Sequence, residues 1–371
     1  MNKQKVVFEQ VDRLFFRANA PFDRFAKTWE VIGGQFPPSA FTLVGAFRAA
    51  IARENGWNGQ GKWNNDIAAL VGKDIHDIEP LDFFGPFIEK DGKTFVPAPN
   101  FIVKQEEGFN FLRPDESVNM VIPSAEKPVH PLRTNNSSSF DNIKDGYITL
   151  EQLKGFLNLE TAQPIEQLWK GSDFHEGEFQ PGVFLEIGSK SSANERGFFT
   201  REYVRFREKV NLSMYLQSSD KLQFQRLVTP LGGEGKFGVI KLEENKQLEL
   251  PKIKQLNKDD QGCKFFIYFL THYRPNMNDD HERINVLDAL VEDLQLNDVR
   301  FIGSTVGKPL RIGGWNMFCN KPIQLDAFVP AGSVFFFRAE ETQEMEILAG
   351  SRTKIGQFTR FGFGQFLVGT W

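Results

Sequence analysis

An α+β fold in two modules, with helices laid on one face of antiparallel sheets, is what this sequence predicts, and three observations carry the prediction. At 371 residues the chain is long enough for two domains of about 100 to 200 residues each. Short runs rich in Val and Phe alternate in the manner of strands, while the segments 39–56, 150–157 and 286–294 carry helical signals. These signals come in the order strands, helix, strands, which suits helices packed on one side of an antiparallel sheet.

Taken along the chain, residues 5–16 (Lys-Val-Val-Phe-Glu-Gln-Val-Asp-Arg-Leu-Phe-Phe) read as a strand and the polar segment Arg17 to Gly34 as a long loop. The strongest helix follows. Pro37 and Pro38 can lie only at or before its first turn, Ser39 is placed to cap it, and Gly56 is placed to close it. Phe41, Leu43, Val44, Phe47 and Ile51 form its apolar side. A second stripe of small residues, Thr42, Gly45, Ala46 and Ala49, lets something approach the axis closely. That something is a sheet or an RNA backbone; a sheet is the first expectation on the Gly45 side, and an anion at the N-terminal turn, where unpaired N–H groups and the helix dipole favour phosphate.

The stretch 57–139 holds many prolines and the polar run Arg133 to Ser139, and is expected to be insertion instead of core. Asp141 to Gln152 imitates a calcium loop but has Ile143 and Gln152 where ligands are needed. Thr149 and Gln152 fit a capping box that opens a helix over 150–157. A second module is expected to begin near Gly197, so that the chain divides into 1–196, with the insertion, and 197–371. Strands are expected at 197–207, 210–216, 299–302, 334–337 and 366–368, with an amphipathic helix around Val286 to Leu294.

Composition narrows the function. The formal charge is -4, so any nucleic-acid surface must be local. Charge is segregated along the chain. Val299 to Leu325 holds Arg300, Lys308, Arg311 and Lys321 with no acid, while Asn278 to Asp298 is strongly acidic and could face a basic partner subunit or simply be a solvated face. With only Cys263 and Cys319, a disulfide scaffold and a four-thiolate zinc site are excluded. No run approaches the roughly 18 apolar residues that span a bilayer, and the start leads into a strand pattern, so a cytoplasmic chain with no membrane partner is expected. The 38 Phe residues chiefly supply core, and a surplus gives surfaces on which bases stack.

Signals for catalysis are poor. None of the five histidines lies in a metal pattern, and there is no Gly-x-Ser-x-Gly elbow. Two acidic clusters, around His76 (Asp74, Asp77, Glu79) and His281 (Asp279, Asp280), read as polar surface. Gly233, Gly235 and Gly238 have dinucleotide-motif spacing, but a strand follows where a helix is required. Leu231-Gly-Gly-Glu-Gly-Lys236 imitates the paired-acid turn of nucleotide cyclases with one acid replaced by Gly235, leaving a turn suited to backbone contact. No catalytic residue, metal or cofactor is expected.

The positive signal lies at the C-terminus. In Ser351 to Trp371, Gly356, Gly362 and Gly364 punctuate a loop holding Arg352, Lys354 and Arg360, with no acid from Ile347 onward. Glycines allow close approach and exposed N–H groups, and phosphate is the natural guest.

The segments Phe36 to Arg48, Asp145 to Thr149, Leu231 to Glu234, Gly313-Gly-Trp315, Val329 to Val334 and 356–364, in this order, resemble the third-subunit family of the type III-B CRISPR effector, the Cmr complex, within the repeat-associated RNA-binding superfamily. The resemblance implies two ferredoxin-like modules that grip the 5′ repeat-derived handle of a guide RNA. It also implies contact with the large cyclase-type subunit and with the repeated backbone subunit of the effector filament, in antiviral defence. On this reading the first helix turn, with Ser39 and Thr42, meets phosphate or ribose. Phe36 stacks a splayed base or packs in the core. Arg48 and Arg53 reach the same strand or snorkel at the surface. Gly356, Gly362 and Gly364 admit the RNA backbone beside Arg352, Lys354 and Arg360. Of Phe361 and Phe363 one stacks and one anchors, and Lys236, Lys308 and Arg311 complete the basic set. The rival is a metal-independent ribonuclease that processes guide precursors, with His76 or His130 as general base. A third reading is a protein adaptor without RNA contact.

Overall fold

The computed structural model describes residues 2–17, 31–74, 77–106, 108–120, 129–135, 139–163, 165–183, 198–244, 246–276, 285–296, 298–316, 321–349 and 353–371. Two compact units emerge, each assembled from three stretches of sequence: 1–92, 171–247 and 311–326 form the first, and 93–170, 248–310 and 327–371 the second. This differs from the expected contiguous division at 196/197. The strands that flank that point, His175–Val183 and Phe198–Phe206, pair with each other in antiparallel register and belong to one unit.

The first unit is built from β1 (Asn2–Gln10), α1 (Ala40–Glu54), α2 (Asn65–Val71), β2 (Leu81–Lys90), β3 (His175–Val183), β4 (Phe198–Phe206), β5 (Val210–Ser218), β6 (Arg226–Pro230) and β7 (Phe237–Glu244). Its main strands run in the order β2-β5-β1-β7-β6, all antiparallel where paired. Period-2 alternation puts Val6, Phe8, Phe83, Leu212, Met214 and Ile240 on one fully buried face. The large apolar side of α1 covers it, with Phe47 edge-on to Phe83 at 5.4 Å. With β1, β2, β5 and β7 counted as first to fourth, the order second, third, first, fourth is the ferredoxin-like one. The strand β6 stands where that arrangement has its second helix.

The strand β2 corrects the expectation that 57–139 is insertion. Gly85-Pro86 reads as a loop signal, yet the register of β2 with β5 shifts between Ser213 and Tyr215, so a bulge absorbs it. Phe83 and Phe87 on either side are buried.

In the second unit the elements β8 (Gly262–Phe269), α3 (Val286–Leu294), β9 (Arg300–Thr305), β10 (Val334–Ala339), α4 (Glu344–Ala349) and β11 (Phe366–Gly369) complete a strand-helix-strand-strand-helix-strand series. The strands lie in the order β9-β10-β8-β11, antiparallel throughout. This is the ferredoxin-like order with both helices present. Phe265, Ile267, Phe269, Tyr273, Leu290 and Phe337 fill its core, Phe265 stacked on Phe337 at 5.3 Å. Thr149 and Gln152 form the expected capping box, although the helix they open is shorter than expected, Leu150–Lys154. No helix among the described residues is long and apolar enough to cross a membrane.

Candidate nucleic-acid interface

The first unit holds a groove of about 460 Å³, and α1 makes one wall of it. At 3.6 residues per turn the helix turns Phe41, Val44, Phe47 and Ile51 to the sheet and leaves Ser39, Thr42, Gly45, Ala46, Ala49 and Arg53 on the groove side. The expectation that a sheet covers the Gly45 side is therefore overturned. Gly45 is exposed, and no described atom lies within 4 Å of where its Cβ would sit. The bulky stripe claims the sheet because it buries far more apolar area. Ser39 occupies the N-cap position, but its hydroxyl lies 3.2 Å from the Thr42 hydroxyl and does not cap a backbone N–H.

A second wall is the turn Leu231 to Lys236. Gly232 sits at φ 79°, and a Cβ there would lie 2.4 Å from the Phe15 carbonyl oxygen, so both conformation and space require glycine. The Gly233 N–H donates to that same carbonyl at 2.8 Å, fixing the turn against the segment after β1. A third wall comes from the hairpin of Leu310–Asn316 with Lys321–Phe328, where Gly313 and Gly314 lead to Trp315, 43% exposed at the lip. Arg17 and Arg53 supply the positive charge of the lining. The one acid among the described lining residues, Glu234, is paired with Arg201 at 3.2 Å. Among the described residues, no histidine, cysteine or lysine lines the groove. Small apolar walls and two guanidinium groups can meet phosphate charge and the flat faces of rings.

The profile of the family described as CRISPR-associated protein (Cas_Cmr3) matches residues 6–371. The chain belongs to that family. No curated protein matches it significantly. Among solved structures it is similar to a chain in the cryo-EM structure of the Type III-B Cmr-beta bound to cognate target RNA, at 14% identity over 90% of this chain and 86% of that one, with a TM-score of 0.47. It is similar too to a chain in the crystal structure of the Csm1-Csm4 cassette in complex with pppApA, at 12% identity over 90% and 87%, TM-score 0.34. A chain in the crystal structure of the Csm3-Csm4 subcomplex of the type III-A CRISPR-Cas interference complex matches at 11% identity over 91% and 94%, TM-score 0.35.

In this Cas_Cmr3 family member the residues singled out from sequence part company. Ser39, Thr42 and Arg53 line the groove. Arg48, on the same helix, does not reach it. Its guanidinium is buried, donating to the carbonyls of Val71 (2.7 Å), Gly72 (3.2 Å) and Asp74 (2.8 Å) and lying over the Trp63 ring at 5.0 Å. Burial pulls its pKa down to about 10, against the opposing pull of Asp74 and Asp77. Arg48 is thus a clamp on the segment after α2, because the two arginines stand about 140° apart around the helix. Phe36 stacks on His175 at 4.4 Å and meets the edge of Phe206 at 5.4 Å, so protein rings occupy it. Lys236 holds its ammonium over the Tyr203 ring at 5.1 Å beside the glycine turn. Arg311 and Lys308 are exposed but outside the groove lining, and Lys308 belongs to the second unit.

The terminal loop also belongs to the second unit, and there the expectation of an open phosphate cradle is corrected. Phe361 and Phe363 are both buried, at 5% and 1% exposure, so neither is offered for stacking. A Cβ at Gly356 would lie 2.2 Å from the Arg274 carbonyl oxygen, and one at Gly364 1.9 Å from that of Ile355. The Gly364 N–H donates to the His272 carbonyl, and the Gly362 carbonyl accepts from the Thr271 hydroxyl. Gly356 and Gly364 admit the protein's own backbone. Arg360 is exposed and Lys354 half-buried, while Arg352 lies outside the described residues.

Of the rival's two candidate bases, His76 lies outside the described residues. His130 is buried with both ring nitrogens engaged: Nδ1 is 3.0 Å from the Val118 carbonyl and Nε2 accepts from Arg300 at 3.1 Å. Sequence reasoning missed Arg17, hidden at the head of a polar loop, and Trp315, whose Gly-Gly-Trp context was noted without a role.

Proposed function

We propose that the groove of the first unit holds single-stranded RNA, the 5′ repeat-derived handle of a guide RNA, and that the chain serves as a non-catalytic subunit of a type III-B RNA-guided effector in antiviral defence. On this reading its other surfaces join the large cyclase-type subunit to the repeated backbone subunit. The observation that carries the proposal is the convergence of α1's small-residue stripe, the glycine turn and the Gly-Gly-Trp hairpin around Arg17 and Arg53, with Glu234 already neutralised by Arg201. Family membership supplies the biological setting. The non-catalytic part is supported by the engagement of His130 and by the described lining side chains, among which the one carboxylate, Glu234, is ion-paired.

The test is a salt titration of the full chain against a short fluorescein-labelled single-stranded RNA carrying the repeat sequence. Changing Arg17 and Arg53 together to Ala should weaken binding and lower the slope of log K against log salt by about 0.7 per lost contact. An unchanged slope in a folded double variant would remove the groove from the RNA path, and cleavage of the RNA by the chain would end the non-catalytic reading.

A further inference from the structure

Two arginines of α1 each sit against a tryptophan of the loop that follows it. Arg48 lies over Trp63 at 5.0 Å and Arg53 over Trp57 at 5.4 Å, and the two indoles meet edge to face at 5.8 Å. Both rings are fixed by their own N–H groups. Trp57 Nε1 donates to the Gln60 carbonyl at 3.0 Å, and Trp63 Nε1 to the Gly72 carbonyl at 2.9 Å. The Trp57 backbone N–H donates to the Ala52 carbonyl at 3.0 Å, tying the ring to the last turn of α1. Gly56, Gly59 and Gly61 all have positive φ, which winds the loop back on the helix end, and a Cβ at Gly59 would lie 3.7 Å from Arg53 Nη2.

The two pairs end differently. The Arg48 donors are met by carbonyls, whereas the one hydrogen-bond acceptor of the Arg53 guanidinium among the described residues is the Thr229 hydroxyl, at 3.5 Å. Arg53 also lines the groove. A free arginine side chain loses rotamer entropy when it is held in one geometry. Stacking on an aromatic ring removes part of that loss before the ligand arrives.

We infer that Trp57 is a positioning residue: its ring holds the Arg53 guanidinium in the orientation that presents it to an RNA phosphate in the groove. This rests on the RNA-binding reading above. It also assigns a role to the start of the segment after α1, for which the sequence offered none. The indole touches no ligand and acts through Arg53 alone.

A double-mutant cycle tests it, with the same labelled RNA and the full chain. Trp57→Leu should weaken binding several-fold in the wild-type background and have no further effect when Arg53 is already Ala. Trp57→Phe should restore most of the affinity, and melting curves of all variants check folding. If Trp57→Leu and Arg53→Ala weaken binding independently, so that their effects multiply, the positioning role is wrong while the groove stands. If Trp57→Leu changes nothing although Arg53→Ala weakens binding, the positioning role is wrong as well. Should Arg53→Ala leave binding intact, the phosphate role of Arg53 fails, and the inference falls with it.

Discussion

Arg48 and Arg53 are the same residue type on the same helix, five positions apart, and their surroundings give them opposite tasks. Arg48 donates to three carbonyls, so its removal leaves the buried Val71 carbonyl without that donor and loosens the hold on Gly72 and Asp74. Arg48→Met is expected to cost about 2 to 4 kcal/mol in urea unfolding, the range for breaking a buried charged network. A change within about 0.5 kcal/mol, as at an exposed site, would show the guanidinium is not the clamp described. Nothing in the sequence separates the two arginines until the phase of the helix against the sheet is known. The same ambiguity governs the terminal glycines. A missing Cβ signals close approach but not by what, and at Gly356 and Gly364 the approaching group is a carbonyl of the same chain.

At the scale of elements, α1 is the piece best read in advance, because its signals are local. Proline before the first turn, a bulky apolar stripe and Gly56 just beyond the Asn55 C-cap act within a few residues of each other. Its stripe of small residues was equally visible, but what lies opposite it was not. The Gly45 position offers a clean probe. A Cβ there meets open space, so Gly45→Leu should gain about 0.8 kcal/mol of helix propensity and raise the melting temperature slightly. The same side chain would project into the groove and should lower RNA affinity by about tenfold, a loss of about 1.4 kcal/mol. A variant that melts higher and still binds RNA as the parent does would show that the groove is not the site. The strand Leu81–Lys90 shows the converse limit. Gly85-Pro86 is a breaker by local rules, and only the bulge opposite β5 lets the strand carry Phe83 and Phe87 into the core.

Across the whole molecule, each unit draws on three separated stretches of chain. Strand pairing explains why a contiguous split misleads: β3 and β4 register residue for residue across the expected boundary, His175 opposite Phe206 through Val183 opposite Phe198. Halves 1–196 and 197–371, produced separately, should each lack a cooperative urea transition, since neither contains a complete unit. A cooperative transition in either half alone would refute the interleaved division. Long-range pairing of this kind leaves little trace in composition, because the hydrogen bonds joining two strands do not depend on which side chains flank them.

By itself the sequence determined the α+β class, the helices α1 and α3, the capping box at Thr149, and the family through an ordered set of short motifs. These rest on local periodicity, on turn chemistry, or on motif order, which survives without knowing what touches what. The tertiary structure alone decided which cations face outward, which glycines serve the interior, and where the groove lies. Those outcomes depend on the phase of one element against another, and a helix rotated by a little over a third of a turn would bring Arg48 to the groove and carry Arg53 away from it with no change of sequence nearby.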